Sequence, residues 1–214
     1  MPTYNPYKRL EIATWLYAHI KTLLQSAVGH QDSTMVIYAC FETRNFLEKL
    51  EFFIIAAALT EEERIKNLKD LEKMWGLSTA FGKIIQEKAH TYITFMNALC
   101  KAKSVPFRPL GHFDFKSSNR FKLELNAYCH LYSRLQPDLE FDSEFIQEGI
   151  KLPERVFDHL KEKKVLDEVE GINIVGVSVT DLKGDSLVIL ERLRKKEIKT
   201  EDELVELLRH AKNY

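Results

Sequence analysis

The chain is poor in the residues that break and turn a backbone. Eight glycines and six prolines in 214 residues are too few for a sheet of many short strands, and they favour long helices. Cysteine is as scarce. Cys40, Cys100 and Cys129 are odd in number, widely spaced and set in apolar helical stretches. That argues against a disulfide framework and marks them as small core residues in a reducing compartment. No uncharged apolar run approaches the ~20 residues that span a bilayer. The opening MPTYNPYKRLEIATW lacks the basic-then-apolar layout of a secretion signal. A cytoplasmic location without a membrane partner is the expectation. No charge of one sign dominates either: 31 basic against 32 acidic groups leave a net charge of −1, which gives no bulk attraction to a polyanion. A glycine-rich phosphate loop, a Gly-x-Ser-x-Gly elbow and zinc spacing are all missing, so the commonest nucleotide, hydrolase and zinc chemistries have no motif here. No cofactor or metal is expected. The chain has a single Glu-x-x-His step, Glu87 with His90, where helical di-iron sites use two such steps and two further glutamates.

What the chain does have is helical periodicity. Asn5 caps and Pro6 opens a helix over residues 6–28, with Ala13, Leu16, Tyr17, Ile20, Leu23, Leu24 and Ala27 on one stripe and Gly29 as its stop. A second helix starts at Asp32 or Ser33 and runs to residue 59. Thr60 and Glu63 form a capping box for a third, whose buried face is Ile65, Leu68, Leu71 and Trp75. A fourth runs over 78–103 and a fifth from Ser117 or Ser118 to residue 135. Pro137 then marks a boundary. Short helices are expected at 143–150 and 153–164, a β-like segment at 171–180 with no evident partner strand, and closing helices at 186–197 and 200–212. The fold class is all-α: a helical bundle of about five helices over 1–136, with a smaller, mostly helical C-terminal region over 137–214 packed on it. Charge follows the same division, for 101–136 carry net +5 and 137–171 net −6. Such blocks are usually solvated faces or pack against each other; alternatively the basic block meets a phosphate-bearing or acidic partner.

The second helix has an unusual layout. Residues 35–41 and 52–59 carry no charge, and the polar residues crowd between them as Glu42-Thr43-Arg44-Asn45-Phe46-Leu47-Glu48-Lys49-Leu50-Glu51. Apolar ends predict a central helix buried at both ends, whose polar waist faces a cleft, a partner or a buried network. At 100° per residue, Arg44, Glu48 and Glu51 fall within about 60° of one another, and Glu42, Asn45 and Lys49 form an adjoining stripe. Arg44 and Glu48 have the spacing of an i,i+4 ion pair. The candidate cluster is therefore Arg44, Asn45, Glu48, Lys49 and Glu51.

Arg44-Asn45 within a long helix of an all-helical bundle resembles the HEPN superfamily, helical domains directed at nucleotides and RNA. Their active members carry an arginine, a polar residue and then a histidine a few residues on. The resemblance covers at most residues 5–136 and departs at one position, for Lys49 stands where the histidine is expected. A lysine is ordinarily protonated and makes a poor general base. The resemblance thus implies a binding-only member, not a ribonuclease.

A second candidate lies in residues 104–116, SVPFRPLGHFDFK, a loop long enough to be functional. Phe107, Arg108, His112, Phe113 and Lys116, with Arg120 beyond, interleave aromatic and basic groups. Aromatics that stack on bases beside cations that neutralise phosphates suit single-stranded RNA, although loop phenylalanines in a compact domain are more often pinned onto its core. The function expected is a non-enzymatic binding module contacting RNA or a protein partner, with a symmetric homodimer as the oligomer to expect. The alternative is a ribonuclease or other phosphodiester enzyme using the polar waist.

Overall fold

In the computed structural model the chain is described at residues 7–64, 80–104, 113–131, 134–163, 165–167, 171–172 and 178–212. The architecture is an all-α helical bundle. Among the described residues the helices are α1 (Tyr7–His30), α2 (Ser33–Ala57), α3 (Ala80–Lys103), α4 (Phe115–Cys129), α5 (Glu144–Glu162), α6 (Gly184–Arg194) and α7 (Glu201–His210), with a further helical turn at residues 61–64. Two compact units share them, and both are discontinuous. The first takes Met1–Glu51 with Phe113–Ile172, the second Phe52–His112 with Asn173–Tyr214. The change of composition at Pro137 thus falls inside the first unit, where the proline opens a 3₁₀ turn, Gln136–Leu139, between α4 and α5.

In the first unit α1 buries most of the expected stripe, Ala13, Leu16, Tyr17, Ile20, Leu24 and Ala27, while Leu23 is only half-buried. It does not stop at Gly29. The helix continues to His30, and Gln31 takes the left-handed conformation with φ of 52°. The Asp32 amide then donates to the Ala27 carbonyl at 3.0 Å, the long bond of a Schellman ending. Asp32 at once caps α2, its Oδ1 accepting from the amides of Thr34 at 2.8 Å and Met35 at 3.4 Å. Tyr17 packs edge-on against Phe157 of α5 at 4.9 Å, and Phe46 of α2 meets the same ring at 5.7 Å. α4 begins at Phe115, two residues before the first serine candidate, because Asp114 caps it by accepting from the Lys116 amide and the Ser117 hydroxyl. It ends at Cys129, six residues short of the expected stop.

Residues 144–162 form one helix where two short ones were expected. Ser143 caps α5, and the helix runs straight through Pro153. A proline in mid-helix has no N–H for the carbonyl four residues back, and its ring crowds that carbonyl. Here that carbonyl belongs to Gly149, and the Cys40 thiol of α2 donates to it at 3.2 Å. The helices are in close contact at this point: a Cβ on Gly149 would stand 2.7 Å from Tyr128 Cε1 and 2.9 Å from Val36 Cγ1. After α5 the first two residues of the β-like segment find a partner just upstream in sequence, whereas its far end is a 3₁₀ turn, Val179–Asp181. Leu166–Asp167 pairs antiparallel with Gly171–Ile172.

In the second unit, Phe53 to Leu59 is buried residue by residue, as the uncharged run predicts. Two arginines meet the carbonyls at this helix end. Buried Arg64 donates from Nε to Ala56 O at 2.7 Å and also binds the Ser178 hydroxyl. Arg194 donates to Ala58 O at 2.7 Å. Both place positive charge at the negative end of the helix dipole. The Thr60–Glu63 capping box forms as predicted; Ile65, Leu68, Leu71 and Trp75 lie outside the described residues. α3 packs against α6 and α7, joining Ile85, Tyr92, Phe95, Met96 and Leu99 to Ile189, Leu190, Leu204 and Leu208 in one core.

Candidate functional site

The polar waist belongs to the first unit, and the structure divides it into separate pairs. Arg44 and Glu48 form the expected i,i+4 ion pair at 3.0 Å, with side chains 16% and 41% exposed. Asn45 turns to Glu42, donating to its Oε2 at 3.2 Å, and Lys49 beside it is half-buried. Glu51 goes elsewhere. Its side chain is only 6% exposed, and Oε2 accepts from Lys122 of α4 at 2.6 Å, where the lysine is 17% exposed. Burial pushes the Glu51 carboxyl above the usual carboxylate range. The Lys122 ammonium opposes this without overcoming it, and Glu48 adds to it. Ser118, one helical turn before Lys122, also acts on the carboxylate. Its hydroxyl nonetheless falls short of hydrogen-bonding geometry, so Ser118 Oγ and Glu51 Oε1 are both buried without a hydrogen bond.

The waist is therefore half rim and half core. Glu42, Arg44, Asn45, Glu48 and Lys49 are half-buried at the rim, while Glu51 and Lys122 form a buried α2–α4 contact with little surface to offer a substrate. One expectation for this helix fails. Its C-terminal end is buried, but near its N-terminus Tyr38 is 57% and Phe41 42% exposed. Lys122 as the partner of Glu51 is absent from the expectations drawn from sequence. A signal existed: a carboxylate directly before the uncharged run Phe52 to Leu59 has to be buried, and a buried carboxylate needs a cation.

Of the aromatic–basic segment, Phe107, Arg108 and His112 lie outside the described residues. Phe113 is buried edge-on against Phe115 at 5.1 Å, so its ring is not available to stack on a base. Lys116 is exposed. Arg120 lies over the Phe121 ring and reaches Glu124 at 3.7 Å, a carboxylate that also binds Arg155 at 2.7 Å. The N-cap Asp114 is exposed, and the desolvation that it does meet would alone raise its pKa. The hydrogen bonds from Ser117 and the Lys116 amide outweigh that and hold it below the usual range.

All three cysteines are free thiols. Burial pushes the Cys40 thiol far up, so it stays protonated and suited to donate to Gly149. Among the described residues no three His, Cys, Asp or Glu side chains come together as a metal would require. Glu87 pairs instead with Lys196 at 2.9 Å. No helix of the described residues is long and apolar enough to cross a membrane. Large apolar side chains do stand exposed on α1 and α2, among them Ile12, Trp15, Tyr38 and Phe41. Trp15, 59% exposed, stacks on His19 at 4.7 Å. No family model, curated protein or solved structure matches the chain.

Proposed function

We propose that the chain is a non-enzymatic interaction module, a degenerate relative of the HEPN-like bundles that its second helix resembles. The observation that carries this reading is how the polar waist uses its charges. Glu51 is bound to Lys122 inside the fold, Arg44 is bound to Glu48, and Lys49 stands where a general base would be needed. Of the two partner classes, protein is the better supported. Trp15 and Tyr38 are mostly exposed, and such aromatics are enriched where proteins meet. The Phe113 ring, one of the aromatics offered for stacking on RNA, is packed away.

The test is an RNA cleavage and binding assay. Purified protein incubated with a mixed RNA pool is expected to give no cleavage that Arg44→Ala abolishes. Cleavage that depends on Arg44 would overturn the reading and favour a phosphodiester enzyme at the waist. Should RNA be the partner instead, filter binding at two salt concentrations would show retention that Arg108→Ala with Arg120→Ala weakens, with a shallower salt dependence.

A further inference from the structure

We draw no further inference here: the strongest candidate, the exposed apolar side chains Ile12, Trp15, Tyr38 and Phe41 on the first two helices, already supports the proposed function, and nothing in the structure shows what covers it.

Discussion

Pro153 takes one amide from α5, and the consequence can be traced to a single thiol. The Gly149 carbonyl would be left bare in a buried crossing if Cys40 did not donate to it. A lost hydrogen bond at a buried carbonyl costs about 1–3 kcal/mol, and a thiol is a weak donor, so the low end applies. Cys40→Ala is expected to destabilise the protein by about 1 kcal/mol in urea melts. In a Pro153→Ala background the new amide can serve the carbonyl, so Cys40→Ala should then cost markedly less. Equal penalties in both backgrounds, measured as a double-mutant cycle, would refute this pairing. Gln31 allows a simpler test. It holds a left-handed conformation that favours glycine, so Gln31→Gly should raise stability by roughly 0.5–1 kcal/mol. These two sites also show the limit of local rules. A stop at Gly29 and a break at Pro153 are sound readings of single residues. The stop at Gly29 gave way to the turn that the Asp32 cap fixes, a helix start the sequence does offer, and the break at Pro153 gave way to a thiol on another helix, which sequence position does not reveal.

At the scale of elements, the α2–α4 contact turns on one ion pair. Removing a single member of a buried pair leaves an uncompensated charge and costs roughly 3–5 kcal/mol, whereas replacing both with apolar residues of similar volume is often neutral or stabilising by about 1–4 kcal/mol. Lys122→Ala is therefore expected to be severely destabilising, and Glu51→Leu with Lys122→Met to match or exceed the parent in denaturant midpoint. The sign of the pH effect follows from the raised Glu51 pKa. A carboxyl whose folded pKa lies above its unfolded value contributes stability below the unfolded pKa of about 4.3, and that contribution is lost as pH rises through the folded value. The advantage of the double variant should accordingly grow from about pH 4 to neutral pH; a constant or shrinking difference would show that Lys122 fully compensates the buried carboxylate. Helix existence was legible in the sequence because apolar stripes and caps such as Thr60–Glu63 are local. The partner of Glu51 was not, because it sits 71 residues away on α4 and no local spacing points to it.

The chain as a whole is laid out by contacts that composition does not record. The acidic turn at Pro137 suggested a bundle complete by residue 136, yet the first unit closes only with α5. Leu152, Val156 and Phe157 are buried, and Phe157 is the ring on which Tyr17 and Phe46 converge. Without α5 those two aromatics lose their edge-on partner, Cys40 and Tyr128 lose the Gly149 crossing, and several large apolar side chains face water at about 1.5–3 kcal/mol each. Native domains are stable by only about 5–15 kcal/mol, so the loss is large enough to unfold the unit. A fragment of residues 1–136 should therefore retain helical circular dichroism without a cooperative melting transition, while the full chain melts cooperatively. A sharp calorimetric transition in the 1–136 fragment would show instead that the bundle is finished before α5 begins, and that α5 only covers a core already formed.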